Sequence, residues 1–327
     1  MRFLIIVACL ILSFSAVSVA FADKDQIAAL EAGARSEPQK RRGLEIRVVG
    51  GGWGDARPEE IETVLNSVAT ILLEHFPGRR LNPILVAHSD EYPIILYKKG
   101  PGNEYRVYLS AKDQHWPRYA YEFAHELSHI LSNYDHHAYS KRTTYNQWFE
   151  ETLSEVASLY ALRRLASVWE VSPPHPHRAA YAREFERYAE RFLGEQHRRL
   201  PPSTSLARWF EQNENELRDN PYLRCHNELV ANLLLPLFEE YPAFWEAIGY
   251  LRLGAAGGDF REYMHAWRAN APEHHKDLIR YVMALFGILE GGKGTGTASL
   301  EAREAGHPGK PHHREASQGG LAGSTSR

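Results

Sequence analysis

The chain has 327 residues, 43% of them hydrophobic, with 38 basic and 41 acidic side chains and a formal net charge of −3. That length supports a sizeable core in one large or two modest domains, and the apolar content fits a globular protein. The near balance of charge argues against the basic footprint of a nucleic-acid binder, and two cysteines, Cys9 and Cys225, are too few for a disulfide framework.

The first 22 residues carry one positive charge, Arg2, then an uncharged apolar run that ends in Ala20-Phe21-Ala22. A small-x-small ending after such a run is the pattern of a cleaved secretory signal, so the mature chain is expected to begin near Asp23 in a secreted or periplasmic compartment. The alternative is an uncleaved anchor, because the run is nearly long enough to span a bilayer. The membrane would then be met only through this segment. The stretch from Ile6 to Cys9 resembles a lipoprotein box but comes too early in the apolar run. Cleavage would leave Cys225 as the single cysteine, expected as a buried thiol.

Residues 23–43 are polar and charged and read as a linker. Leu44 to Gly50 reads as a strand, and the turn-rich stretch behind it offers Asp55 as a helix cap ahead of Pro58. Ile61, Val64, Leu65, Val68, Ile71 and Leu72 then recur at helical spacing. Three short β-rich runs follow, "PILVAH", "YPIILYKK" and "EYRVYLS", the last two reading as a hairpin about "KKGPGN". Strand, helix and three strands suit a small sheet with a helix on one face.

Beyond residue 115 the pattern turns helical. Pro117 opens a helix whose apolar stripe is Tyr119, Phe123, Leu127, Ile130 and Leu131. A second long helix covers the run from Thr144 to Glu170, with Trp148 in the core. Pro173, Pro174 and Pro176 break the chain, and further helices are expected over 178–198, 206–217, 224–240, 242–252, 259–269 and 273–289. From Gly291 the chain is rich in Gly and Ser, with no apolar period, and is expected to be disordered. The fold class expected is α+β: a small mixed sheet with helices in the N-terminal part and a mostly helical C-terminal part. The expected division is 1–22 signal, 23–43 linker, 44–135 first subdomain, 136–290 second subdomain and 291–327 tail.

The chemistry sits in the first of these long helices, where His125-Glu126-Leu127-Ser128-His129 matches H-E-x-x-H. Residues i and i+4 share one helix face, so both imidazoles can address one ion. Glu126 lies off that line and can reach water beside the ion, where it would act as general base. A catalytic zinc takes three protein ligands and keeps one open position, so a third must come from a neighbouring element. Trp148 to Glu155 supplies carboxylates at 150, 151 and 155. Glu151 and Glu155 lie one turn apart on one face, so one can ligate while the other holds a ligand histidine. Glu150 points roughly 100° away from Glu151 and is expected to matter little.

H-E-L-S-H followed by W-x-x-E-x-x-x-E resembles the gluzincin zinc metallopeptidases, which include thermolysin-like and aminopeptidase-like families. Trp148-Phe149-Glu150-Glu151 is similar to the W-L-N-E run of the aminopeptidase-like members, which makes Glu151 the third ligand and Glu155 its acidic follower. The resemblance implies a zincin-like fold, with 44–135 as the upper subdomain and 136–290 as the lower. It implies Zn2+ as cofactor and a peptide or protein as substrate. It also implies a Tyr or His that stabilises the oxyanion, for which Tyr222 and His226 are the candidates. The G-x-M-E-N run of the aminopeptidases and the longer metzincin motif are both missing from the chain.

The expected function is therefore zinc-dependent peptide hydrolysis. The alternatives are a non-catalytic zinc-binding or scaffold protein and a zinc hydrolase of non-peptide amides. The remaining histidines, including His136, His137, His175, His177, His274, His275, His312 and His313, carry no expected role. Arginine-rich runs such as Arg198-Arg199-Leu200 are expected to be solvated helix faces.

Overall fold

A computed structural model describes residues 44–133, 146–253 and 258–288. The expected signal, linker and tail, together with His136, His137, His312 and His313, lie outside the described residues. Among those described, no helix is long and apolar enough to cross a membrane.

The first half follows the expected order. Strand β1 (Ile46–Val48) leads to helix α1 (Pro58–Leu73), then to β2 (Ile84–His88), β3 (Ile94–Ile95) and β4 (Tyr105–Leu109). These strands form one mixed sheet in the order β1-β2-β4-β3. The β1–β2 and β2–β4 pairs are parallel, with Ile46 opposite Ile84 and Val86 opposite Val107. The hairpin read from "KKGPGN" is present: β3 runs antiparallel to β4, with Ile95 opposite Val107. It leaves β3 as the edge strand. Alternation puts Ile46, Val48, Ile84, Val86, Tyr105, Val107 and Leu109 into the core, as a sheet covered on one face requires.

Helix α1 presents Ile61, Val64, Leu65, Val68, Ile71 and Leu72 to that face. Its first turn carries Pro58, whose missing N–H costs nothing there, and Glu59 and Glu60, which favour the positive end of the helix dipole. Asp55 is not the cap. The helix begins after Arg57, whose N–H is taken by the Glu60 carboxylate at 3.4 Å, while the Asp55 N–H donates to Asp113.

Helices α2 (Trp116–Leu131) and α3 (Gln147–Val171) pack against each other across the expected 135/136 division, and α1 packs on both. Each is buried over most of its surface. No residue of α3 before Arg163 is exposed: it is a core helix. A turn of 3-10 helix at Pro176–Tyr181 precedes α4 (Ala182–Leu193), and another, Gln196–Arg198, follows it. Then come α5 (Leu206–Asp219), α6 (Arg224–Glu240), α7 (Phe260–Asn270) and α8 (Glu273–Leu285). The stretch Pro242–Leu253, expected as an α-helix, winds instead as 3-10 helix and leaves helical geometry at Arg252. Buried Phe244, Trp245, Ile248 and Leu251 hold it down, and the Arg252 side chain turns inward. Trp148 is in the core as expected, packed on Phe210 and Phe260.

Two expectations fail for the same reason: composition does not say what a side chain meets. Arg198 is fully buried, not solvated, because Glu155, Glu195 and Glu228 all pair with it. Cys225 is exposed, not buried, since it sits in the first turn of α6 with Asn227, Glu228 and Leu229 facing the core instead.

The sheet fixes α2 through one buried carboxylate. Glu122 accepts from the Ser110 N–H at 2.7 Å, the Ala111 N–H at 3.0 Å, the Ser110 hydroxyl at 2.8 Å and Arg118 Nε at 2.7 Å. These bonds tie the end of β4 to the helix one turn before His125. Glu122→Ala would leave two buried backbone N–H groups without partners, at a cost of roughly 2–4 kcal/mol. Denaturant unfolding measures this, and a loss under about 0.5 kcal/mol would show that the tie is unimportant.

Candidate metal centre

The α2–α3 contact brings the expected ligands together. His125 and His129 share one face of α2, with ring centroids 5.1 Å apart. Across from them, Glu151 of α3 places Oε2 3.2 Å from His125 Nε2 and 3.7 Å from His129 Nε2. Donor atoms of all three lie within 4.8 Å of one another. Two imidazoles and a carboxylate converging from two rigid helices could hold a metal ion, and the donor set suits a borderline-soft divalent one.

The backs of the ligands are held as well. Gln147, one turn before Glu151, donates from Nε2 to Glu151 Oε1 at 3.3 Å, leaving Oε2 for the histidines. Ser154 Oγ stands 3.5 Å from His129 Nδ1, at the limit of a hydrogen bond. The orienting role expected for Glu155 is not what its contacts show. Its carboxylate accepts from Tyr121 and, at 2.7 Å, from Arg198, so it braces α2 against α3 rather than holding a ligand ring.

Ion pairing decides between the neighbouring glutamates. Glu150 is buried and bonded to Arg252, with Nε–Oε2 at 2.6 Å, and to Tyr263 at 3.4 Å. Glu150 is thus no idle surface residue, contrary to expectation. Of the four carboxylates at 126, 150, 151 and 155, two are matched to arginines. Glu126 and Glu151 face the cleft with no Arg or Lys partner among the described residues.

The site opens into a cavity of about 570 Å³. Edge strand β3 and the residues around it, Tyr92, Ile94, Ile95 and Tyr97, line it together with Tyr222, Gln147 and Arg252, and the Tyr97 hydroxyl lies 3.4 Å from Gln147 Nε2. Glu126 lies in this cavity, and the Ile95 backbone hydrogen-bonds to it. Of the two oxyanion candidates, Tyr222 lines the cavity. Its hydroxyl accepts from Gln147 Nε2 at 2.8 Å, so its own proton is free for the cleft. His226 does not: it bonds to Asn213 at 3.1 Å and packs on Trp209, away from the cavity lining. Tyr97, Gln147 and Arg252 were not read from the sequence. Gln147 carried a usable signal, lying four residues before Glu151 on the same helix face. Arg252 carried none.

Burial sets the electrostatics. It pushes the Glu126 carboxyl up to about 7 despite the pull of His125. It holds the His129 imidazole down at about 4, so that ring is neutral and ready to ligate. Burial also pulls on His125, but the Glu151 hydrogen bond and the Glu126 charge outweigh it and raise that imidazole to about 9. Burial keeps both Tyr97 and Tyr222 above the usual phenol range, hence protonated at neutral pH.

Compared with protein-family models and with curated proteins, the chain gives no match.

Two outcomes follow for metal uptake. Glu151→Ala should lose most of this site's affinity for metal with little effect on folding. Glu150→Ala should cost roughly 3–5 kcal/mol in stability, because it removes the buried carboxylate paired with Arg252. Metal analysis beside denaturant melts separates the two, and loss of metal in Glu150→Ala but not in Glu151→Ala would reverse the assignment. Metal must also displace the proton on His125. Below about pH 9 that ring is protonated in the metal-free protein, so affinity should rise about tenfold per pH unit up to there and flatten above. A titration series across pH that shows no slope would contradict this.

Proposed function

We propose that the chain is a zinc-dependent metallopeptidase. One observation carries the reading: two imidazoles and Glu151 converge on one point while Glu126, with no Arg or Lys partner among the described residues, lines the same cleft. Among the described residues the cluster supplies three ligands and no fourth, which is the ligand count of a catalytic site rather than a closed structural one. An unmatched buried carboxylate costs stability, so its presence favours chemistry over a scaffold role. The H-E-x-x-H spacing and the downstream glutamate support zinc as the metal, and the gluzincin resemblance supports a peptide as substrate.

Zinc in such a site supplies Lewis acidity and lowers the pKa of water. The chain's own groups do the rest. Glu126, with its pKa raised toward neutrality, accepts a proton from the attacking water and returns it to the leaving amine. The Ile95 backbone keeps that carboxylate at the strand side of the cleft. Tyr222, oriented by Gln147, donates to the oxygen on which negative charge develops, and Tyr97 stands in the same wall as a further hydroxyl. Tyr92, Ile94 and Ile95 give the cleft an apolar rim beside those hydroxyls. A secreted or periplasmic location, drawn from the signal-like first 22 residues, belongs to the same proposal.

Glu126→Gln keeps size and shape but removes the base. Zinc content should persist, and peptide hydrolysis should fall by a factor on the order of 10² or more. Activity equal to that of the parent would rule out the mechanism.

A further inference from the structure

A second group of two histidines and a carboxylate lies outside the cleft. Glu246, in the Pro242–Leu253 stretch, meets His274 and His275 in the first turn of α8. Both imidazoles aim at one oxygen: Nε2 of His275 is 3.2 Å, and Nε2 of His274 is 3.6 Å, from Glu246 Oε2. In a tetrahedral site with bonds near 2.0–2.1 Å, neighbouring donor atoms stand roughly 3.3 Å apart. The spacings here match that edge as closely as those in the cleft, 3.2 and 3.7 Å.

The arrangement is not a by-product of helix geometry. Adjacent helical side chains diverge by roughly 100°. Here the two rings lie 4.0 Å apart, because His275 turns inward against Phe244 and His274 folds over it. Charge also separates this group from the other one of its kind, Glu195, His197 and Glu228. There Arg198 and Arg224 already occupy the carboxylates and would repel a cation. Among the described residues the only ion partners of Glu246 are the two histidines.

We propose that Glu246, His274 and His275 form a second metal site, taking a divalent transition-metal ion of zinc's class and clamping the 242–253 stretch to α8. Water would complete the shell on the side of His274, which is 64% exposed. The clamped stretch also carries Arg252, which borders the cleft and holds Glu150. An ion in this site would therefore stabilise a segment on which the cleft depends, without taking part in its chemistry.

The test uses untagged, metal-free full-length protein dialysed against zinc alone, followed by metal analysis and thermal melting. The His125→Ala/His129→Ala variant removes the cleft ligands. It should still bind one zinc per chain, and zinc should still raise its Tm. Adding His274→Ala, an exposed change, should weaken that binding by at least the roughly tenfold that loss of a mere supporting contact costs, and should abolish the Tm shift. Glu246→Gln should do the same. Should the double variant not fold, the count is taken in the parent, where His274→Ala should lower it from two to one. A single zinc that is lost with His274→Ala but kept in His125→Ala would uphold this site while refuting the cleft reading. No zinc in the folded double variant, or uptake unchanged by His274→Ala and Glu246→Gln, would overturn the second site.

Discussion

Everything at the candidate centre depends on the contact between α2 and α3. The histidines belong to one helix and Glu151 to the other, so the three ligand atoms meet only if the two axes are held at a fixed separation and rotation. Apolar packing of Phe123, Leu127, Ile130, Leu153, Val156 and Leu159 supplies the bulk of that hold. Dispersion and burial do not choose one rotation over another with much precision, whereas directed polar contacts do. Here they come from two adjacent residues of α2. Glu122 ties α2 to the end of β4, and Glu155 joins Tyr121 of α2 to Arg198.

Those contacts account for the polar residues buried in two otherwise apolar helices. A buried carboxylate is tolerable when matched by a cation or by several donors. Glu122 has backbone donors, Glu150 has Arg252, and Glu155 has Arg198. Matching these three leaves Glu126 and Glu151, without Arg or Lys partners, facing the cavity beside the two histidines. The negative charge that α2 and α3 offer a cation is thereby confined to one place. Burial then sets the ionisation of what remains, lifting Glu126 toward neutrality and keeping His129 uncharged.

The sheet contributes its edge. Because β3 pairs only with β4, its outer side and the residues beside it are free to form the cavity wall, and the Ile95 backbone reaches Glu126. Gln147 joins the ligand helix to Tyr222, so the candidate oxyanion donor is held by the same helix that supplies Glu151. The cleft is therefore built from an edge strand, two core helices and the start of α6.

Local pattern was enough for much of this. Helical period marked α1, α2 and α3, and alternation with turn residues marked the β3–β4 hairpin, because these signals are set within a few residues of chain. The i, i+4 spacing put His125 and His129 on one face for the same reason, whereas the preference for Glu151 over Glu150 leaned on Glu155 as a support for a ligand ring, a role its bonds to Tyr121 and Arg198 do not give it. Partners distant in sequence were not legible. Arg198 looked like a surface arginine, Glu155 like a support for a ligand ring, Glu150 like a bystander and His226 like an equal of Tyr222. Each of these was decided by a group tens of residues away: Arg198 by Glu155 and Glu228, Glu150 by Arg252, and Tyr222 by Gln147. The sequence by itself determined which residues share a helix face or a strand side, since backbone geometry repeats every few residues. Which charges are matched, and which are left to face the cleft, was decided only when the tertiary structure brought those faces together.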